Sequence, residues 1–145
     1  MRLQLALNVH DLVEAVSYYS KLFGVGPHKR YSGYANFAID DPPLKLVLFE
    51  NPGSEKRLHH LGVEVLEANQ LEKAFQRLTE AELVAEVERD ETCCYATQDK
   101  VWSRELDGLS WEWYRITDDS SERARASVAK TCCPSEGGLE RSRIT

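Results

Sequence analysis

The stretch LQLALNVHDLVEAVSYYSKLFG, residues 3–24, decides the fold. Its first seven residues carry an apolar side chain at every odd position, which is typical of a strand with one apolar face. Apolar residues then recur at helical spacing, with Asp11 as a candidate N-cap and Gly24 as a stop signal. The stretch therefore predicts a strand followed by an amphipathic helix.

The rest of the chain repeats this order. After the helix come two strand-like runs, YANFAI (34–39) and LKLVLFE (44–50), separated by a turn that contains DDPP. The second half offers a strand, HHLGVEV (59–65), then a helix, ANQLEKAFQRLTEAE (68–82), and three further strand-like runs at 84–88, 95–106 and 110–116.

Residues 4–9 laid over residues 60–65 match apolar to apolar and polar to polar. We therefore predict an α+β fold of two tandem β-α-β-β-β modules, residues 1–50 and 58–116, that form one concave mixed sheet with a free face. Residues 117–145 are rich in Ser, Arg, Glu and Gly, and we expect a flexible tail after a single domain that ends near Ile116.

Composition narrows the function classes. The 145 residues are 42% hydrophobic and 29% charged, which is ordinary for one globular domain. A net charge of −6 disfavours nucleic-acid binding, because no basic face is available to neutralise phosphates. No apolar run approaches a membrane span, and the N-terminus is charged where a signal peptide is apolar, so we expect a cytoplasmic protein.

All four cysteines lie in adjacent pairs, Cys93-Cys94 and Cys132-Cys133. Thiols stay reduced in the cytoplasm, so the pairs indicate metal binding, metalloid binding or reactive groups sooner than disulfides.

Strand alternation suggests a metal site on the free face of the sheet. If the apolar side of the first strand packs on its helix, Gln4 faces the other side. The same rule places His60 on that side, directs His59 away, and puts Glu112 of the last strand with Gln4 and His60. An amide, an imidazole and a carboxylate form a plausible three-ligand set, related to the 2-His-1-carboxylate triad of Fe(II) oxygenases. Taken singly, each residue is more often structural.

Two further expectations follow from the same alternation. Val47 occupies the first module's approximate counterpart of Glu112, so one complete site is expected per chain. Lys100, Trp102 and Tyr114 are candidates for lining the pocket, although surface or core packing is the commoner role for such residues.

The segments QLALNVHDLVEAVSYYSKLFG, HLGVEV and WEWY resemble the vicinal oxygen chelate superfamily of glyoxalases, fosfomycin-modifying enzymes, bleomycin-binding proteins and extradiol dioxygenases. The resemblance implies metal ligands at Gln4, His60 and Glu112. Most three-ligand members have histidine at the first position, so Gln4 departs from the common pattern. Members with paired modules often assemble into dimers, so the resemblance leaves open a homodimer in which one ligand comes from the partner.

The segments GYANFAIDDPPLKLVLFENPG, LHHLGVEV and TCCYATQDKVW are similar to a narrower group, the ArsI carbon–arsenic lyases and the CadI cadmium-induced proteins. The similarity covers about residues 2–116. It implies cleavage of the carbon–arsenic bond of trivalent organoarsenicals, such as methylarsenite or aromatic arsenicals, with Fe(II) and dioxygen, and release of inorganic arsenite. Ni, Mn or Zn could also occupy such a site in vitro.

Adjacent thiols suit this chemistry. Trivalent arsenic is soft and prefers thiolate ligands, and a monoalkyl or monoaryl As(III) has two exchangeable positions that Cys93 and Cys94 would fill. Neighbouring side chains of a regular strand point to opposite faces. We therefore predict that ERDETCC (88–94) is a loop or bulge, not strand, with regular pairing resuming near Tyr95. Cys132 and Cys133 are either accessory thiols that capture arsenic or a free pair.

Two other functions stay open at this point. A non-enzymatic protein could sequester Cd(II) or As(III) through the paired thiols. A glyoxalase-like or thiol-transferase-like metalloenzyme would use the metal as a Lewis acid, and such chemistry has no evident use for Cys93 and Cys94.

Overall fold

The computed structural model of the chain describes residues 1–93 and 95–119. Within them, eight strands form one mixed sheet and two helices pack on it. The elements are β1 (Arg2–Val9), α1 (Leu12–Phe23), β2 (Lys29–Tyr31), β3 (Tyr34–Ile39), β4 (Leu44–Glu50), β5 (Leu58–Glu64), α2 (Ala68–Glu80), β6 (Glu86–Cys93), β7 (Ala96–Arg104) and β8 (Ser110–Asp118).

Both halves of the chain arrange their four strands in the same way. The sheet order is β2-β3-β4-β1-β5-β8-β7-β6, with β1 parallel to β4 and β5 parallel to β8. The halves meet where β1 pairs antiparallel with β5. The predicted α+β fold of two equivalent modules is confirmed. Of the described strands, only β2 was not predicted from the sequence, because three residues are too few to show a periodicity.

The helix signals act as predicted. Asp11 caps α1, where its side chain accepts a hydrogen bond of 2.9 Å from the Glu14 amide. Gly24 ends the helix in the left-handed region at φ 68°, where a side chain would be strained. A capping box starts α2, since Gln70 Oε1 accepts a bond of 3.1 Å from the Glu67 amide.

The helices cover one face of the sheet, and each module has its own apolar core there. In the first module, residues of α1 pack on the odd-numbered side of β1, on β3 and on the even-numbered side of β4; the fully buried members include Phe37, Ile39, Leu46 and Leu48. In the second module, α2 packs on β5, β7 and β8; its core includes Val65, Leu71, Leu78 and Val101. Alternation along each strand therefore sends a second set of side chains to the opposite, concave face.

The concave face is not an open surface. Gln4 is 6% exposed and Asn8 is 2% exposed, while Leu3 on the helix side of the same strand is 57% exposed. The curvature of the eight-stranded sheet encloses the polar side chains that the sequence pattern would assign to solvent.

The hairpin before the first cysteine pair differs from the sequence expectation. β6 is a strand as far as Cys93, which pairs with Ala96, whereas the segment 88–94 was predicted to be a loop or bulge and not strand. A bulge is present in the first half of that segment, where the ladder shifts between Glu88 and Glu91 and Asp90 has φ 51°. A bulge there absorbs the unpaired residues, so regular pairing resumes before the cysteines and not after them.

Strand β8 ends at Asp118, two residues past the predicted domain end at Ile116. Cys94, Cys132 and Cys133 lie outside the described residues, as does the rest of the predicted tail beyond residue 119, and the domain boundary stays a prediction. Neither helix of the described segments has the length and apolarity to span a bilayer.

The first-module core provides a test of the packing. Leu48 is fully buried and Leu66 is 66% exposed. We expect Leu48→Ala to lower the free energy of unfolding by about 2–5 kcal/mol, because it removes buried methyl groups and leaves a cavity. Leu66→Ala should change that free energy by less than about 0.5 kcal/mol. Urea unfolding followed by tryptophan fluorescence measures both, and equal losses would contradict the assigned core.

Candidate metal and substrate site

A cavity of about 440 Å³, counted to its mouth, occupies the concave face. Side chains from both modules line it: Gln4, Lys29, Tyr34, Asn36, Lys45, Val47, Phe49, His60, Ala96, Gln98, Lys100, Glu112, Tyr114, Ile116 and Asp119. Its lining combines apolar walls with a few converging polar groups, as is typical of small-molecule sites.

Three side chains meet on the floor of this cavity. Gln4 Nε2 lies 3.0 Å from His60 Nε2 and 2.5 Å from Glu112 Oε1, and His60 Nε2 lies 3.2 Å from Glu112 Oε1. All three residues are at most 6% exposed. The structure thus brings together the amide, imidazole and carboxylate that alternation assigned to one face.

Gly62 explains how Gln4 and Glu112 reach each other. Gly62 pairs with Gln4 on one side and with Glu112 on the other, so it lies between them in the sheet. A Cβ built at Gly62 would lie 2.9 Å from Glu112 Cγ, 3.1 Å from the Glu112 carbonyl oxygen and 3.3 Å from Gln4 Nε2. The missing side chain therefore leaves the room in which the two polar groups meet.

The contacts of His60 are compatible with a tautomer that leaves Nε2 without a proton. The Gln4 amide donates to Glu112 Oε1, and its second hydrogen faces His60 Nε2. This arrangement is satisfied when Nε2 of His60 is the acceptor and Nδ1 carries the proton. His60 Nδ1 lies 2.7 Å from Nδ1 of His59, which can accept that proton's hydrogen bond. The lone pair of His60 Nε2 then faces Gln4 and Glu112.

His59 was expected to point away from His60, and that expectation is wrong. The pairing of β1 with β5 shifts between Ala6 and Leu7, so that Ala6 pairs with His60 and Leu7 with Leu58. His59 is the extra residue of this bulge, which breaks the alternation and places the two imidazole rings 5.0 Å apart.

Lys100 balances the charge of Glu112. Its Nζ lies 3.3 Å from Glu112 Oε2, and both side chains are almost completely buried. Burial alone would raise the pKa of Glu112, but the charge of Lys100, the contact with His60 and the bond from Gln4 outweigh it and lower that pKa to about 2. Glu112 is therefore an anion at neutral pH, with Oε1 facing Gln4 and His60 and Oε2 facing Lys100.

The hairpin that carries the first cysteine pair ends beside the cavity. Cys93 pairs with Ala96, which lines the cavity. Tyr95 stacks on Tyr31 with ring centres 3.8 Å apart, and its carbonyl accepts a bond of 2.8 Å from Lys29 Nζ. These contacts attach the second module's hairpin to the first module at the cavity rim.

The comparisons with known proteins agree with this fold. Residues 3–113 match the family model of the Glyoxalase/Bleomycin resistance protein/Dioxygenase superfamily. The chain belongs to this superfamily. A superfamily member from Vibrio splendidus has the same fold, with a TM-score of 0.53 and 17% identity over 79% of this chain and 97% of that one.

Curated relatives are more similar in sequence. The cadmium-induced protein CadI of Mycobacterium tuberculosis is 58% identical over 119 residues, which cover 82% of this chain and 78% of CadI. A trivalent organoarsenical cleaving enzyme of Thermomonospora curvata is 49% identical over 138 residues, which cover 94% of this chain and 91% of that enzyme. This chain is therefore a superfamily member with close relatives of two different names.

Several residues in or beside the cavity were not predicted from the sequence as parts of a site. Gly62 was visible as a glycine inside a strand pattern, which often marks close approach of neighbouring groups. Lys45 is the one basic residue inside the apolar run LKLVLFE, and this pattern predicts a strand but does not by itself indicate a site. Lys29 gave no signal, because the strand that carries it has three residues.

Gly62 provides a test of the floor geometry. Gly62→Ala should lower the free energy of unfolding by about 1–3 kcal/mol, since the new methyl group crowds Glu112 in a packed site. Gly53 has no atom within 4 Å of its ideal Cβ position, so Gly53→Ala is the matched control. We expect the control to change stability by less than about 0.5 kcal/mol. Urea unfolding in the presence of a chelator measures both variants, and equal effects would contradict the role of Gly62.

The charge on Glu112 predicts a pH dependence. A folded-state pKa of about 2 against an ordinary 4.5 adds stability that is complete above pH 4.5 and is lost as pH falls towards 2. We expect Glu112→Gln to be less stable at neutral pH by about 3 kcal/mol, because it leaves Lys100 without its anion. The gap between wild type and variant should narrow as the pH falls from about 4.5 towards 2. Guanidinium unfolding of both proteins at several pH values, in the presence of a chelator, measures this difference in the free energy of unfolding. A difference that does not change with pH would contradict the prediction.

Proposed function

We propose that the protein is a carbon–arsenic lyase, which cleaves the carbon–arsenic bond of trivalent organoarsenicals with Fe(II) and dioxygen and releases inorganic arsenite. The observation that carries this proposal is the 49% identity to a trivalent organoarsenical cleaving enzyme over nearly the whole of both chains. Two more distant relatives, 31% and 33% identical, have names that state the same activity, in one case as probable.

The donor set on the cavity floor fits a divalent metal ion. First-row ions take imidazole, carboxylate and amide oxygen as ligands. Ligand atoms at right angles around an ion with bonds of about 2.1 Å are about 3.0 Å apart. The separations of His60 Nε2 from Gln4 Nε2 and from Glu112 Oε1, 3.0 Å and 3.2 Å, are of this size, whereas Gln4 Nε2 and Glu112 Oε1, at 2.5 Å, are in hydrogen-bond contact. Turning the Gln4 amide would present its oxygen in place of its nitrogen.

Two neighbouring groups would hold these ligands in place. His59 accepts the Nδ1 proton of His60 and so leaves Nε2 free to bind the ion, as outer partners of metal-binding histidines commonly do. Lys100 holds Oε2 of Glu112 and leaves Oε1 for the metal. When bound, Fe(II) supplies the site that binds dioxygen for the oxidation, and the burial of the floor keeps bulk water from the reacting groups.

Cys93 and Cys94 would hold the arsenic. A monoalkyl or monoaryl As(III) has two exchangeable positions, which two neighbouring thiolates would fill. The pairing of Cys93 with Ala96 supports a substrate position at the cavity rim, with the carbon substituent directed towards the floor.

The 58% identity to CadI favours a second candidate, a protein that sequesters Cd(II) or As(III) without turnover. The two candidates differ in what happens to the carbon–arsenic bond. We would load the protein with Fe(II) without oxygen, add methylarsenite, admit air, and determine the arsenic species. Inorganic arsenite that needs both Fe(II) and oxygen supports the lyase, and methylarsenite that stays bound and intact supports sequestration.

Paired variants then separate the thiols from the metal ligands. We expect Cys93→Ser/Cys94→Ser to lower turnover by roughly 100-fold or more, because the substrate is no longer positioned, while Fe(II) affinity changes little. Glu112→Ala should abolish Fe(II) binding and turnover but leave the thiol binding of arsenic.

The double variant Cys132→Ser/Cys133→Ser removes the same number of thiols from the tail and is the matched control. Turnover within about twofold of wild type is expected for it. If the tail variant loses turnover and the Cys93/Cys94 variant keeps it, the clamp has been assigned to the wrong pair.

A further inference from the structure

Lys45 is a cation of the cavity that has no ion pair among the described residues. Lys45 lies inside the apolar strand β4, pairs across the sheet with Gln4, and is 5% exposed. Leu46 and Leu48 on either side of Val47 pack under α1, so alternation directs Lys45 to the cavity, which it lines.

The other two lysines of the cavity are paired. Lys29 Nζ contacts Asp119 Oδ1 at 2.5 Å, and Lys100 Nζ contacts Glu112 Oε2 at 3.3 Å. Within residues 1–93 and 95–119, the Lys45 ammonium makes no ion pair within 4 Å and no hydrogen bond. Lysine is seldom buried without a partner, because an isolated charge loses its hydration on burial.

Glu64, the acid with the largest effect on the Lys45 pKa, is engaged elsewhere. Glu64 acts on Lys45 only at longer range, and its carboxylate already binds Arg2 at 3.0 Å and 3.3 Å and the Tyr114 hydroxyl at 3.1 Å. Burial lowers the pKa of Lys45, against a smaller opposite effect of Glu64. The cation is thus one that an anionic ligand would stabilise.

Asn36 on the neighbouring strand points to the same place. It pairs with Val47, so it lies diagonally across from Lys45 on the same face of the sheet. It is 3% exposed, lines the cavity, and donates from Nδ2 to the Tyr34 hydroxyl, while its Oδ1 has no hydrogen-bond partner in the described residues. A turn of the amide would let Oδ1 accept from that hydroxyl and direct two N–H donors at a ligand.

The first-module wall of the cavity is apolar and aromatic. Tyr34 and Phe49 line it with ring centres 5.7 Å apart, and Val47 lies beside them. Lys45 pairs across the sheet with Gln4 of the floor, so a ligand bound at the floor can reach both this wall and the Lys45 ammonium.

We propose that the first-module side of the cavity is an anion subsite, in which Lys45 and Asn36 bind a carboxylate or similar anionic oxygen group on the organic substituent of the substrate. That the ligand carries arsenic at its other end rests on the proposed function, whereas the anion subsite itself does not. Simple methylated arsenicals would leave the subsite empty, so aryl arsenicals with an acidic group should be the better ligands.

The test compares two ligands that differ in one group, a trivalent phenylarsenical and its 4-carboxyphenyl counterpart. Calorimetry with the Fe(II)-loaded full chain, without oxygen, gives both dissociation constants. We expect the carboxylated ligand to bind about tenfold more tightly, which corresponds to about 1.4 kcal/mol. Lys45→Met should remove this preference and leave the affinity for the plain phenylarsenical within about threefold.

Lys73 on the exposed side of α2 supplies the control variant, and Lys73→Met should keep the preference. Equal affinities in wild type, or a preference that survives in Lys45→Met, would overturn the proposal. The wild-type comparison needs no variant, so a Lys45→Met protein that fails to fold would leave the test intact.

Benzoate and benzamide test the subsite without arsenic. Benzoate should bind more tightly than benzamide in wild type and lose that advantage in Lys45→Met. Benzoate binding combined with equal affinity for the two arsenicals would overturn the proposal. The site would then bind a free anion and not an acidic group on the organic substituent of the substrate. The binding measurements are made without oxygen and do not depend on turnover. A failure to cleave arsenicals in the separate experiment in air would therefore refute the proposed function and leave the anion subsite unaffected.

Discussion

The antiparallel pairing of β1 with β5 is the constraint on which the rest of the structure depends. It joins two modules that each pair their own strands, and it makes the cavity a property of both. Its register sets Gln4 against Gly62, and Gly62 is in turn set against Glu112. A shift of one residue would send every side chain of β1 to the opposite face and separate the three groups of the floor.

The two faces of the sheet are stabilised in different ways. The helix-covered face is an ordinary apolar core, divided into one cluster per module. The concave face buries carboxylates and ammonium groups, which is favourable only where each charge is paired and hydrogen-bonded. Glu64 with Arg2 and Glu112 with Lys100 meet that condition. The polar face is thus stabilised by ion pairs and hydrogen bonds, and the opposite face by apolar packing.

A comparison of equivalent positions in the two modules shows why the floor is asymmetric. Ala6 pairs with Val47 in the first module as Gly62 pairs with Glu112 in the second. The first module therefore has a methyl group and an isopropyl group where the second has a gap and a carboxylate. The second module places a carboxylate on the floor, and the first module places there an apolar wall and Lys45, whose ammonium has no ion pair among the described residues.

The sequence by itself determined the two modules, nearly all the strands and helices, and the side of the sheet on which Gln4, His60 and Glu112 lie. These are consequences of local periodicity, because an alternating strand with one apolar face has only one way to pack on its helix. Only the tertiary structure decided that the concave face is buried and that the three side chains meet. Sheet curvature and strand register depend on pairing between residues far apart in the chain. The bulge that brings His59 beside His60, and the absence of a described partner for Lys45, are likewise outcomes of contacts between strands. No pattern within a single strand contains them.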